Sequence, residues 1–360
     1  MRPVVDEDML QAALYSLQNE KLVMGESVFK FEEEFARYCG AHYAVSTSSG
    51  TAALQIALQS MQIEPQDEVL TTPFSFFATS NAVIHAGSQP RFADVEDDGF
   101  NLDPAKLEPK LTSKTRAIMP VHLYGQPARM DEFHDLADDN GVSIVEDACQ
   151  AHGAEYKGRR VGSLGNVACF SFYTSKNMTV CGDGGMIVTN DIDIANAARS
   201  YRDCGRASKY TMSRIGFTSR LNTVNAAIGR VQLRKLDGWN KKRRQVADQY
   251  RQALKDVNGL ALPPAESSQE IPVYHLFVVR SQHRDNLAAH LEQNGVEAAI
   301  HYPVPIHLQE PYRALYGYTE GDFPVAEKLA NQVLSLPIHP LITEGEVETI
   351  SQLVRESTTK

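Results

Sequence analysis

Over its first two thirds the chain alternates short apolar runs with amphipathic stretches, and this rhythm constrains the fold more than any other feature of the sequence. A strand, a crossover helix and a further strand give parallel pairing, because parallel neighbours need a connection long enough to return the chain along the sheet. The candidate strands are Tyr43 to Ser46, Glu68 to Thr71, Pro90 to Val95, Ala117 to Val121, Val142 to Glu146, Val167 to Phe172 and Met186 to Thr189. Between them, TAALQIALQSM puts Leu54, Leu58 and Met61 on one helical face, and DEFHDLADDNG ends on an Asn-Gly stop. The expected fold class is α/β, with a large domain built on a mostly parallel seven-stranded sheet.

A different pattern takes over near residue 240. From Leu236 to Val257 one face carries Trp239, Val246, Tyr250 and Leu254, and the stretch runs into Asn258-Gly259, a helix terminator. The domain junction is placed on this helix, giving a large domain over 1–240 and a smaller C-terminal α+β domain over 241–360. That tail is expected to hold a strand (Tyr274 to Arg280), a helix (Arg284 to Asn294), a strand (Val296 to His301) and a helix (Pro324 to Leu334). A last helix opens with Thr343 and Glu346 in capping-box spacing.

Charge and cysteine usage exclude several function classes. Lysine plus arginine number 35 against 45 acids, a net charge of −10. An acidic chain repels phosphodiester backbones, so nucleic acid is not an expected partner, and Lys241 to Arg244 reads as a solvated helix face. The five cysteines (Cys39, Cys149, Cys169, Cys181, Cys204) contain no CxxC pair and suit neither a disulfide framework nor a zinc site, which points to a reducing cytoplasm. The uncharged run from Val69 to Pro90 holds Pro73, Gly87 and many hydroxyl side chains, and the start MRPVVDEDMLQAAL has no apolar signal core. Neither a membrane span nor an export signal is expected.

In an open α/β sheet, ligands collect beyond the carboxyl ends of the strands. Three clusters fall there. In STSSGTAAL a strand passes through Ser49, Gly50 and Thr51 straight into a helix, whose free N–H groups and dipole suit a phosphate; an ordinary Ser/Thr cap is the plainer alternative. In SIVEDACQAHG, Asp147 and Gln150 follow a strand, where an acid can also cap the next helix. In FSFYTSKNMTVCGDGGMIVTND, a buried-looking strand delivers Ser171 and then Lys176, 29 residues beyond Asp147, although lysine is ordinarily a solvated surface residue. A phosphate cradle, a carboxylate and a lysine at neighbouring strand ends are the parts pyridoxal 5'-phosphate requires: a Schiff-base lysine, an acid that keeps the pyridine nitrogen protonated, and a helix start for the phosphate. Phe76, in TTPFSFFATSN, is a candidate stacking ring, with core packing as its alternative.

These segments resemble the DegT/DnrJ/EryC1/StrS group of sugar aminotransferases, within the fold-type I pyridoxal phosphate enzymes. The likeness runs from MGESVFKFEEEFARYCGAHYAVSTSSGTAAL through PVHLYGQPARMD, VEDACQAHGAEYKGRRVGSLGNVACFSFYTSKN and GDGGMIVTND to HYPVPIHLQ and SLPIHP. The resemblance implies that Lys176 is the Schiff-base lysine, Asp147 the pyridinium partner and Gln150 a neighbour of the ring hydroxyl. It also implies Ser49, Gly50, Thr51 and Ser171 as phosphate ligands and Phe76 as the stacking ring. Where many relatives read GYNYRM, with an asparagine reaching the phosphate of the neighbouring subunit's cofactor, this chain reads GFTSRLNTVNAAIG with the shorter Thr218. Arg220 in the same stretch is a candidate substrate ligand, its planar fork suiting carboxylate or phosphate, with surface placement as the alternative.

The implied activity is ping-pong transamination from an amino acid, usually L-glutamate, to a nucleotide-diphosphate-linked keto-deoxy sugar, in a homodimer with shared active sites. The spelling GDGGM leans towards relatives acting on 4-keto sugars. A free cyclitol ketone as acceptor and a non-catalytic pyridoxal-phosphate-binding regulator are the alternatives. A sugar dehydratase of this family carries histidine in place of the lysine, so Lys176 argues against that reading. His122, His152, His301, His307 and His339 read as hydrogen-bonded walls of the site and not as metal ligands, since none has helical i,i+4 spacing.

Overall fold

Short strand-forming runs, most of them buried at nearly every position, bury both faces by lying side by side in a sheet covered by helices above and below. The computed structural model describes residues 4–358, so the first three residues of the acidic N-terminal stretch lie outside it. In chain order come α1 (Glu7–Asn19), α2 (Glu26–Cys39), β1 (Tyr43–Thr47), α3 (Gly50–Ser60), β2 (Glu68–Thr71), α4 (Ala78–His85), β3 (Gln89–Phe92) and β4 (Thr115–Met119). They are followed by α5 (Met130–Asn140), β5 (Ser143–Asp147), the short pair β6 (Glu155–Tyr156) and β7 (Arg159–Arg160), β8 (Val167–Ser171), β9 (Gly185–Thr189) and α6 (Ile192–Arg202).

The large sheet has the order β1-β9-β8-β5-β4-β2-β3. Its core from β8 through β3 is parallel, and β9 runs antiparallel between β8 and β1. All seven expected strands lie in it, with ends shifted by a few residues. The largest shift is at Pro90 to Val95: the strand stops at Phe92, and Val95 makes an isolated bridge to Leu102.

Strand alternation sorts the core. On one face Ile118, Ile144, Ala168, Phe170 and Val188 pack with Phe31 and Phe35 of α2 and Phe133 of α5. On the other, Val69, Met119, Val145, Val167 and Ile187 pack with Leu54 and Leu58 of α3, Val83 of α4 and Ala198 of α6. Adjacent strand residues therefore serve opposite layers, as a period of two requires.

The long helix α7 (Thr223–Leu254) starts 13 residues before its expected start. Gly229 and the β-branched residues around it weaken the helix signal in that stretch. The glycine is there for packing: a Cβ on it would stand 2.8 Å from the ring of Phe31. Beyond α7 come β10 (Leu260–Ala261), β11 (Glu270–Ile271), β12 (Phe277–Ser281), α8 (Arg284–Gln293), α9 (Glu310–Tyr316), α10 (Pro324–Gln332), β13 (Val333–Leu336) and α11 (Glu344–Thr358).

Two expectations for this region are corrected. Val296 to His301 forms no strand, only an isolated bridge from Ala299 to Ser335, and the helix expected to run to Leu334 stops at Gln332. Val333–Leu336, buried throughout, pairs antiparallel with β12 as the edge strand of this sheet, and 296–301 meets the outer side of that strand only at Ala299. The capping box on α11 is formed, Glu346 N donating to Thr343 Oγ1 at 3.3 Å and Thr343 N to Glu346 Oε2 at 2.7 Å. Val246, Tyr250 and Leu254 of α7 share a core with β12, β13, α8 and α11.

A buried ion pair locks the first layer to the second. Arg202, at the end of α6 and 2 % exposed, donates to Glu32 of α2 and to the carbonyl and hydroxyl oxygens of Ser46 in β1, at 2.8 and 3.0 Å. Removing one partner strands the other charge, at a cost of about 3–5 kcal/mol. Glu32→Ala is accordingly expected to lower the free energy of urea unfolding by that amount, whereas the paired change Glu32→Leu with Arg202→Met should recover most of it.

Candidate active site

Strand β5 ends in two consecutive carboxylates, and alternation sends them to opposite faces. Glu146, fully buried, accepts from the backbone N–H of Gly162, Leu164 and Gly165 at 2.7–2.9 Å and from His122 Nε2 at 3.1 Å. These donors hold its carboxyl below the usual glutamate range even though burial opposes them. Asp147, 3 % exposed, takes a hydrogen bond from Thr79 Oγ1 at 2.7 Å on Oδ2 and from Cys149 N at 3.2 Å on Oδ1. Thr79 lies in the first turn of α4 and is itself within 3.0 Å of Ser75 Oγ.

Neighbouring β8 points Phe170 into the first core layer and Ser171 out at its end. A turn follows, closed by Lys176 N donating to Tyr173 O at 2.9 Å. Lys176 is half-buried, and among the described residues no hydrogen bond or ion pair holds its ammonium. Burial lowers its pKa, and the nearby Cys149 and Asp147 only partly oppose that. A lysine so placed has more neutral amine at a given pH than a solvated one, which is what a nucleophile or base needs. Three histidines share its surroundings. His152 is pushed down to about 3 by burial and by the charge of Lys176; His275 and His301 are lowered for the same two reasons.

The helix start of α3 faces the same edge. Ser49 is the N-cap, its Oγ accepting from Ala52 N at 3.1 Å, while the N–H groups of Gly50 and Thr51 have no acceptor among the described residues. Gly50 is required by close approach: a Cβ there would stand 2.6 Å from Ser171 Cβ and 3.0 Å from Cys149 Sγ. The cradle, Ser171 and the segment after Asp147 are therefore in contact.

Gln150, 3 % exposed, receives Tyr124 N at 2.9 Å and donates to Tyr302 Oη at 3.3 Å. Tyr124 in turn donates its hydroxyl to His301 O. Phe76 is 44 % exposed, so it is not a core residue; its ring lies 6.0 Å from that of Tyr302 and 4.5 Å from that of Phe77. The stretch with Thr218 and Arg220 abuts the cradle, since Ser48 N donates to Ser219 O at 2.9 Å. Thr218 is exposed with Cys204 Sγ 3.3 Å from its hydroxyl, and the Arg220 guanidinium is taken by Asp203 at 2.5 Å.

Ser49, Gly50, Thr51, Phe76, Asp147, Gln150, Ser171 and Lys176 thus line one edge, with Thr218 and Arg220 at its border. His122 and His307 do not face it as walls: their Nε2 atoms are committed to Glu146 and Glu327 at 3.1 and 3.0 Å. Thr79, Tyr124, His275 and Tyr302 belong to the setting without having drawn attention in the sequence. For Thr79 a signal existed, a hydroxyl three residues after Phe76, where the loop runs into α4.

The donor set fits pyridoxal 5'-phosphate: two unpaired N–H groups beside two serine hydroxyls for an anion, a buried carboxylate, a free amine and an exposed ring. Fold and edge together are those of a pyridoxal-phosphate-dependent transferase. The sequence profile of the DegT/DnrJ/EryC1/StrS aminotransferase family matches residues 3–355, and the chain belongs to that family. It is 43% identical over 340 residues to the dTDP-3-amino-3,4,6-trideoxy-alpha-D-glucose transaminase of Streptomyces venezuelae, covering 94% of this chain and 89% of that one. A protein of Geobacillus stearothermophilus named a pleiotropic regulatory protein is 40% identical over 94% of this chain and 91% of its own. The crystal structure of S. venezuelae DesV in complex with a ketimine intermediate superposes with a TM-score of 0.95, at 41% identity over 98% of this chain and 94% of that one.

Buried neutral histidines have a pH signature. The folded pKa of His152 lies below its unfolded value of 6.5, so the unfolded chain takes up the proton first and stability falls as pH drops from about 6.5 towards 3. The slope is about 1.4 kcal/mol per pH unit for each such group. Urea unfolding measured at neutral pH and near pH 5 should show a shallower loss in His152→Gln; an equal loss would mean that His152 is already charged in the fold.

Proposed function

We propose that this protein transfers an amino group from L-glutamate to a keto sugar linked to a nucleoside diphosphate. The observation that carries this is a lysine amine, unpaired and shifted towards its neutral form, at the strand edge that also holds Asp147 and a helix start with free N–H groups. Pyridoxal 5'-phosphate is the cofactor of the family, and when bound it supplies an electron sink for breaking a bond at the amine-bearing carbon. In this reading Lys176 is its covalent anchor and, once displaced by substrate, the base that moves a proton. Asp147, with hydrogen bonds on both oxygens, holds the ring nitrogen protonated. Gly50, Thr51, Ser49 and Ser171 receive the phosphate, Gln150 lies beside the ring hydroxyl and Phe76 supplies a stacking face.

The similarity to a dTDP-sugar transaminase supports a nucleotide-linked acceptor over a free cyclitol ketone. The lean towards a 4-keto sugar has no support there, since the name of that relative places the amine at position 3, and we favour a 3-keto acceptor. The exposed Thr218 and the contact between Ser219 and the cradle suit a homodimer in which this stretch completes the partner's site. The division into domains at 240/241 belongs to the same proposal, resting on the separate core around Tyr250, as does a cytoplasmic setting, resting on five free thiols.

The decisive experiment is the visible absorption spectrum of the protein with pyridoxal phosphate, recorded before and after L-glutamate with no sugar present. Loss of the visible band on adding glutamate is expected; a band that persists excludes glutamate as donor, and no band means that Lys176 forms no Schiff base and overturns its reading as the anchor. Lys176→Ala should abolish turnover. Asp147→Asn should lower the rate far more than it weakens retention of the cofactor.

A further inference from the structure

One face of α7 carries three side-chain amides that hold the segment on which Lys176 sits. Asn225 Nδ2 donates to Val180 O at 2.7 Å, Gln232 Oε1 accepts from Thr179 N at 3.3 Å, and Asn240 Oδ1 accepts from Asn177 Nδ2 at 3.0 Å. Their spacings of seven and eight residues return to the same side of a helix every two turns, and the three rungs span about 22 Å of its axis. The last rung is the most committed. Asn177, next to Lys176 in the chain, also donates to Val273 O at 2.9 Å and receives His275 Nδ1 at 3.3 Å. Asn240 donates to His152 O at 2.8 Å. Both asparagines are buried, at 5 % and 1 % exposure.

One turn further along α7, Arg243 donates to Tyr274 O at 3.0 Å and to Ile338 O at 3.1 Å, carbonyls flanking β12 and β13. The same rigid rod therefore grips the lysine segment with its first part and the C-terminal sheet with its second. Lys176 has four rotatable side-chain bonds and no partner for its ammonium, so its backbone decides where the amine stands. Buried amides with all their hydrogen bonds made fix a backbone far better than a solvated loop can.

We propose that Asn177 and Asn240 are positioning residues for Lys176, through which the docking of the C-terminal sheet on α7 sets where the lysine amine stands relative to Asp147. The inference rests on Lys176 being the reacting amine, so its test reads the amine itself. In the cofactor-free protein, competitive labelling with acetic anhydride across pH, followed by peptide mass spectrometry, gives the titration midpoint of Lys176 against the exposed Lys110 and Lys114. In parallel, borohydride trapping of added pyridoxal phosphate gives the rate of capture at Lys176.

Asn177→Ala and Asn240→Ala should each move the Lys176 midpoint up towards that of the exposed lysines and slow its capture at least about tenfold, as expected for a misplaced reacting group. Glu32→Ala, which loosens the fold elsewhere, should leave both readings as they are in the unmodified protein. Should either alanine variant fail to fold, Asn177→Ser and Asn240→Ser keep one donor and carry the same expectation. An unchanged midpoint and capture rate in the asparagine variants overturns the inference and leaves the amides a stabilising role alone. Absence of capture at Lys176 in the unmodified protein overturns instead the reading of Lys176 on which the inference rests.

Discussion

The structure depends on two carboxylates that follow one another in β5 and must point opposite ways. Glu146 faces inward, where three backbone N–H groups and one imidazole surround it. Those donors come from 122 and from 162–165, so one buried side chain gathers the connection after β4 and the approach to β8. An isolated carboxylate buried this deeply would be protonated or unstable; here the number of donors decides in favour of the charged form. With Glu146 fixed, the pleat leaves Asp147 no freedom but to face the carboxyl edge, where Thr79 and the N–H of Cys149 fix its rotation. A shift of one residue in the register of β5 would exchange the two roles and lose both.

Alternation works in the same way on β8. Phe170 is committed to the layer of α2 and Phe172 continues on that side, so Ser171 between them meets the start of α3. The helix start at Ser49–Thr51 lies nearly 100 residues before Asp147 in the sequence and Lys176 lies 29 residues after it, yet they meet because β8 neighbours the central strand β5 and only β9 separates β8 from β1. The turn that carries Lys176 leads from the end of β8 towards the antiparallel β9, which lies between β8 and β1.

The large sheet was legible in the sequence because each strand is a short apolar run bounded by polar or glycine-rich turns, a signal that survives without tertiary information. The lysine, the acid and the cradle were legible for the same reason: each directly follows such a run. What was not legible depends on contacts. Residues 223–235 are helical because Gly229 lets α7 close on Phe31, a fact about α2 and not about local propensity. Val333 and Leu334 read as the end of a helix until β12 offers its edge to Val333–Leu336, and 296–301 reads as a strand although only Ala299 meets β13. Arg220 reads as a free cation until Asp203 is placed beside it. Thr79 and Tyr302 are ordinary residues whose importance lies in what they touch.

The electrostatics of the edge follow from who satisfies Asp147. A carboxylate and a lysine at adjacent strand ends would ordinarily form a salt bridge, which would stabilise the ammonium and take the amine out of use. Here the two oxygens of Asp147 are occupied by a hydroxyl and a backbone N–H, both neutral donors, so the carboxylate is stabilised without consuming the lysine. The attraction that remains between them raises the lysine pKa less than burial lowers it. The surrounding imidazoles, driven to their neutral forms by the same burial, add no charge that would compete for Asp147. The result is a carboxylate whose oxygens are taken by neutral donors and, near it, an amine biased towards neutrality that no hydrogen bond holds. That arrangement lets a single strand edge keep a carboxylate and an unpaired amine near one another without a salt bridge between them.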